Sequence, residues 1–255
     1  MLLRTVPARV LGTNTAVLAS GPGSPGRPVD ALVVDPGLGV LDRLLPLLER
    51  HHLRPVAVLV THGHLDHVGE VSEVAALTGA PVLVGARDEH RLQDPLEGLG
   101  PALRAALLAQ VGSFSWVPPR DVRGLVDGDE VVAGPLRVRA VHAPGHTEGS
   151  TLFVVDDVPD AESLAAADGL PAGTPPLPPG LRRTVLTGDV LFAGSVGRTD
   201  LAGGDGDAML ATLRDVVLAL PDDALVLPGH GPATSTAHER ATNPFLLDPR
   251  LLEQS

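Results

Sequence analysis

The 255-residue chain contains no cysteine, no lysine and no tyrosine. Without cysteine there is no disulfide, no thiolate zinc site, no iron–sulfur cluster and no Cys nucleophile. Without lysine there is no Schiff-base amine and no P-loop lysine. Aromatic side chains are scarce: Phe114, Trp116, Phe153, Phe192 and Phe245 are the full set, and each is expected in the core. No apolar run approaches the ~20 residues that a membrane span needs. Ala16-Val17-Leu18-Ala19 resembles the end of a secretory leader, but Arg4, Arg9, Thr13 and Asn14 interrupt the apolar stretch before it. The segment therefore reads as two strands and the protein as cytoplasmic.

All 19 basic residues are arginine, against 31 acidic ones, for a formal charge of −12. No basic run is longer than Arg182-Arg183, so the surface repels nucleic acid and anionic membranes, and the expected partner is a small molecule. The arginine bias, with 29 Gly and 25 Pro, is attributed to base composition. The length suffices for one large domain with its own core, and a single domain over 1–255 is expected.

Hydrophobic patterning alternates strands with helices. Strands are expected over 2–10, 15–18, 31–34, 56–60 and 81–84. Helices are expected over 41–51, with Pro46 interrupting, over 68–77, closed by Gly79, and over 99–111. The second half restarts: strands flank the turn Asp127-Gly128-Asp129, and others cover 136–141, 151–155, 184–186 and 224–227. A helix covers 207–220, with Leu210, Leu213 and Val217 on one face. This order implies an α/β layered domain, two facing sheets with helices outside. Residues 158–183, with six Pro, read as a low-complexity surface insertion with little fixed structure.

The chemistry is concentrated in Thr61-His62-Gly63-His64-Leu65-Asp66-His67. Random placement of His-x-His-x-Asp-His in a chain of this composition occurs roughly once in a thousand chains. The segment follows a buried strand, where layered α/β proteins place ligands. The i, i+2 spacing puts His62 and His64 on one side of an extended stretch. Metal binding is the expectation. His146, Asp189 and His230 could complete the site. Each follows a strand directly or nearly so, and each neighbours a glycine that permits close approach.

The stretches THGHLDHVGE (61–70), HAPGHTEGS (142–150), TGDVLFAGSVGRTDLAGGD (187–205) and LPGHGPATSTAHERATNPFL (227–246) resemble the metallo-β-lactamase superfamily, and within it the glyoxalase II-like branch. The resemblance implies a four-layer αββα sandwich. It also implies that His62, His64 and His146 hold one ion, that Asp66, His67 and His230 hold a second, and that Asp189 bridges both. Nitrogen and oxygen donors suit Zn2+, and also Fe or Mn. Two divalent ions about 3.5–4 Å apart hold a bridging water and lower its pKa towards neutrality. The resulting hydroxide would attack an acyl thioester, with Asp66 orienting it. A thiolate leaves without protonation, which fits a site with no obvious general acid.

Glyoxalase II-type enzymes recognise glutathione with basic and Tyr side chains, partly from an added C-terminal helical domain. This chain has neither Lys nor Tyr and ends soon after its last motif, so the thiol is left open; Arg198, Arg240 or Arg250 could contact an anion. His142 is expected to be structural, and the pair Arg198–Asp200 to fix the loop after Asp189. Ser195 lies in no G-x-S-x-G and is not expected to be a nucleophile. His51, His52, His90 and His238 are expected to be solvated. The alternative is a persulfide dioxygenase with one Fe(II) on His62, His146 and Asp189. A nuclease is disfavoured by the charge, and a non-enzymatic binding module by the intact donor set.

Overall fold

A computed structural model describes residues 1–97, 99–111, 114–248 and 250. The remaining positions of the expected 1–255 domain lie outside the described residues. Two six-stranded sheets form the centre. The first runs in chain order: β1 (Leu2–Pro7), β2 (Asn14–Ala19), β3 (Val29–Val34), β4 (Leu53–Val60), β5 (Val82–Gly85) and β6 (Val122–Leu125). Its first three strands are antiparallel and β3 to β6 are parallel. The second contains β7 (Glu130–Ala133), β8 (Leu136–His142), β9 (Thr151–Val155), β10 (Arg183–Gly188) and, beyond a separate hairpin of β11 (Leu191–Phe192) and β12 (Ser195–Val196), β13 (Ala224–Pro228) and β14 (Thr234–Ser235). Its order is β14-β13-β10-β9-β8-β7, and only β10 and β13 pair in parallel.

Alternation along the strands builds the layers. Leu32 and Val34 of β3 face the second sheet and meet Phe153, Val155, Leu186 and Leu225. Ala31 and Val33 face the other way, onto α1 (Leu41–Arg50) and α3 (Val71–Thr78). In the second sheet Leu152, Val154, Val185 and Val226 point outward onto Met209, Leu213 and Val217. Strands buried on both faces read as continuous apolar runs, as these do. The architecture is the expected αββα sandwich.

Several elements differ from expectation for identifiable reasons. The turn Asp127-Gly128-Asp129 does not join paired strands: β6 closes one sheet and β7 edges the other, so the turn is the crossover between layers. The helix expected over 68–77 is two, α2 (Leu65–Val68) and α3. Glu70, between them, turns its carboxylate onto the amides of Val40 and Leu41, both at 2.7 Å. Gly79 ends α3 in the left-handed conformation, as read, and the helix expected over 99–111 is α4 (Pro101–Val111). Pro46 sits inside α1. The helix expected over 207–220 is α6 (Gly206–Thr212), capped by Asp205, followed by a π-helical turn, Leu213–Val217. Phe245 is 46% exposed, against the expectation of a core residue, and Phe114, Trp116 and Phe192 are half-buried; Phe153 alone is fully buried.

The insertion 158–183 has more structure than its composition suggested. It carries α5 (Ala161–Ala165), capped by Asp160, and sets Leu170, Leu177 and Leu181 against the inter-sheet core. It runs along the free edge of β1. Asp160 N–H donates to Met1 O, Leu3 N–H to Ser163 Oγ, and Thr5 N–H to Asp168 O. The buried Arg4 completes the seam, donating to Ser163 Oγ at 3.0 Å and facing Asp168 at 3.3 Å. Among the described residues no helix is long and apolar enough to cross a membrane.

Candidate metal centre

The loops after β4, β8, β10 and β13 meet at one rim of the sandwich. The β4 strand ends in Val60, the chain bends at Thr61 and His62, and His64, extended, leads into α2, which carries Asp66 and His67. His146 comes from the loop between β8 and β9, Asp189 follows β10, and His230 follows β13. All seven residues singled out from the sequence therefore reach the same place.

They form two adjoining donor groups. His146 Nε2 lies 3.1 Å from His62 Nε2 and 2.9 Å from His64 Nδ1. His230 Nε2 lies 3.3 Å from His67 Nε2 and 3.0 Å from Asp66 Oδ2. Asp189 stands between them, with Oδ1 3.2 Å from His67 Nε2 and Oδ2 3.7 Å from His146 Nε2 and 3.8 Å from His230 Nε2. Imidazole nitrogens facing each other at such separations share too few protons to satisfy one another. Asp189 Oδ1 is buried with no hydrogen bond of proper geometry, despite its nearness to His67. A buried carboxylate oxygen left so would be costly, and a cation between the groups would satisfy it together with the imidazoles. The residues fit divalent ions with nitrogen and oxygen preference.

Protonation favours the same ligands. Burial and the neighbouring imidazoles drive His62 well below its ordinary value. Burial, with His146 beside it, lowers His64 to about 3. Burial likewise lowers His146, so all three are neutral. Burial opposes the charge on Asp66 and Asp189, but His67 and His230 outweigh it and both are held ionised. Burial also opposes charge on His67, yet Asp189, Asp66 and Asp35 overcome it and push the imidazole well above its usual range. A metal taken up here must displace that proton.

Residues behind the donors orient them. His67 Nδ1 lies 2.9 Å from Asp35 Oδ2, and Asp35 also accepts from Thr61 N–H at 2.8 Å and Thr61 Oγ1 at 2.6 Å. His146 Nδ1 donates to the Arg198 carbonyl at 2.8 Å. Thus the GRTD stretch grips the site through its backbone, while the Arg198–Asp200 pair lies exposed. Asp88, fully buried, accepts from Gly63 N–H, Gly149 N–H and Thr147 Oγ1, tying the 61–67 loop to the 142–150 loop. Asn14 donates to the carbonyls of Pro228 and Gly231 and so frames His230. His142 Nε2 pairs with the Glu148 carbonyl at 2.8 Å, a structural role as read. A Cβ at Gly229 would overlap Asp189 Oδ1 and His67, so only glycine lets this loop approach. Arg198, Arg240 and Arg250 are each engaged by an aspartate: Asp200, Asp222 and Asp248.

Residues 28–178 match the family model of the metallo-beta-lactamase superfamily. The chain belongs to that superfamily. A relative in Mycobacterium tuberculosis is 39% identical over 96% of this chain and 98% of its own. The hydroxyacylglutathione hydrolase GloC of Haemophilus influenzae is 29% identical over 85% and 87%. Among solved structures, the BLEG-1 B3 metallo-beta-lactamase superposes with a TM-score of 0.71 at 30% identity, covering 97% of this chain and 100% of that one. TTHA1623 in a di-iron-bound form gives 0.65 at 29%, covering 94% and 100%. As a superfamily member with a His/Asp donor cluster, this chain is hydrolase-like and its site a candidate for divalent metal.

Proposed function

We propose that this protein is a dinuclear metal-dependent hydrolase of small acyl thioesters, in the glyoxalase II-like branch. The observation that carries the reading is the pair of three-residue donor groups with Asp189 between them. His62, His64 and His146 would hold one ion and Asp66, His67 and His230 the other, with Asp189 shared; Zn2+ suits the set, as do Fe and Mn. Bound there, the ions would supply a nucleophilic water at neutral pH and polarise the acyl carbonyl.

The chain's own residues do the rest. Asp66, held by His230 and only partly buried, orients the attacking water. The water oxygen bonds to the acyl carbon, the C–S bond breaks, and the acid and the thiol leave. Asp35 and the Arg198 carbonyl keep the rings of His67 and His146 aimed while this happens. Similarity to GloC supports the thioester, and similarity to the di-iron-bound protein supports two ions. The intact Asp66/His67/His230 group favours this reading over an oxygenase needing one iron on His62, His146 and Asp189.

Metal analysis of protein purified without added metal, alongside thioester turnover, tests the proposal. About two equivalents per chain and hydrolysis of S-lactoyl or acetyl thioesters are expected. One iron with oxygen uptake on a persulfide, or a β-lactam ring opened faster than any thioester, would overturn it.

A further inference from the structure

A cavity of about 280 Å³ opens beside His64 and Gly63, next to the first donor group. Its walls include His90, Arg91, Asp94, Glu97 and Glu148, so one guanidinium and an exposed imidazole stand among three carboxylates. The guanidinium charge is matched by two carboxylates, although Nε makes no hydrogen bond of proper geometry. Arg91 is buried, its Nη2 donates to Glu148 at 2.5 Å and to the Ala202 carbonyl at 3.0 Å, and its Nε faces the buried Asp88 at 3.3 Å. Asp94 and Glu97 are exposed, and neither has an ion-pair partner among the described residues. Asp94 accepts only the amide of Leu96. Arg198, nearby in the chain to Gly203 on the cavity wall, is held by Asp200. The space beside the donors therefore carries three wall carboxylates against one guanidinium, whose charge Glu148 and the buried Asp88 already balance, so acceptors and negative charge predominate.

We propose that this cavity receives the thiol half of the substrate and selects thioesters of uncharged, hydroxyl-bearing or amine-bearing thiols over thioesters of anionic thiols. The inference rests on the thioesterase reading and adds the chemistry of the leaving group. A thioester whose carbonyl lies at the donor groups has its sulfur substituent directed to a neighbouring space, and this is the cavity that His64 borders. Carboxylates there accept from hydroxyl and ammonium groups and repel a substrate carboxylate. Two uncompensated carboxylates near a ligand charge make discrimination of the order of tenfold per unit charge.

The test uses one acyl group on three thiols: N-acetylcysteamine (neutral), cysteamine (cationic) and 3-mercaptopropionate (anionic). With metal-loaded protein, kcat/KM should fall about tenfold from the neutral to the anionic thioester, carried by KM, and the gap should shrink as salt rises. Calorimetry with the matching S-alkyl thioethers, which cannot be cleaved, should give the same order of Kd. In the variant D94N/E97Q, altered only at exposed side chains, both gaps should narrow towards unity. If the anionic thioester is hydrolysed and its thioether bound as well as the neutral pair, or if D94N/E97Q leaves the ratios where they were, the cavity proposal fails while thioester hydrolysis stands. If no thioester turns over, both fail.

Discussion

At the scale of single residues, the groups behind the donors are as informative as the donors. Asp35 accepts from Thr61 twice and faces His67, so Asp35→Asn removes the charged partner that fixes this ring. Loss of such an outer partner costs about 10–100-fold in metal affinity. Competition with a coloured chelator should show that drop, with the fold retained by circular dichroism. His64 provides a pH signature in the chelator-treated protein. Its folded-state pKa lies near 3 against an ordinary 6.5. As pH falls below about 6.5 the unfolded chain takes up the proton first, so this contribution is complete above that value and lost on the way down towards 3. Urea titrations across this window should show a shallower loss of stability for His64→Asn than for the parent. The donors were legible because His62, His64, Asp66 and His67 crowd one short stretch behind an apolar strand. Asp35 and Asp88 were not. Asp35-Pro36-Gly37 has the composition of a turn, and Asp88 sits in the polar run ARDEH. What distinguishes both is burial with donors from the ligand-bearing loops converging on them, which appears only when the layers close.

At the scale of elements, the hairpin β11 (Leu191–Phe192) and β12 (Ser195–Val196) shows how a short, intrinsically weak unit is held. Glu239 of α7 (Thr236–Thr242), fully buried, accepts from Gly194 N–H at 2.8 Å, Thr234 Oγ1 at 2.7 Å and Asn243 Nδ2 at 2.9 Å. Asn243 in turn donates to the Ser195 carbonyl. Phe192 of this hairpin faces the His230 ring at 6.4 Å. Glu239→Ala would take the acceptor from the buried Thr234 and Asn243 donors and from the Gly194 amide, and should cost about 2–4 kcal/mol in denaturant unfolding. Glu239→Gln should keep most of that stability, because the Thr234 hydroxyl can turn to accept. Strand and helix positions were largely readable from apolar periodicity. The hairpin was not, since two-residue strands carry no period. Neither was the crossover at Asp127–Asp129, where a good turn sequence joins layers and not neighbours. The Val68–Leu77 helix was read as one because its break depends on Glu70 reaching the amides of another helix.

At the scale of the whole molecule, the donors come from four loops of both sheets, so an ion held there ties the layers together at one rim. Ligand binding to the native state alone adds RT ln(1 + [L]/Kd), about 4 kcal/mol at a thousandfold excess over Kd. Treatment with a strong chelator should lower the thermal midpoint accordingly, and Zn2+ should restore it; an unchanged midpoint would mean that no ion stabilises the fold. The sandwich itself could be anticipated from the order of strands and helices. The seating of the Pro-rich segment 158–183 could not, because Leu170, Leu177 and Leu181 have a helical spacing that the intervening Pro171, Pro175, Pro176, Pro178 and Pro179 forbid, so no element could be assigned to them.

That segment has a consequence for association between molecules. The amides of Leu3 and Thr5 point away from β2 and are satisfied by Ser163 and Asp168. Were residues 160–168 replaced by a short glycine-serine linker, β1 would present an unguarded row of backbone donors and acceptors, an invitation to strand addition by a second chain. Light scattering of such a variant should detect self-association that grows with concentration, and a run of low apparent complexity would prove to be what keeps neighbouring molecules apart.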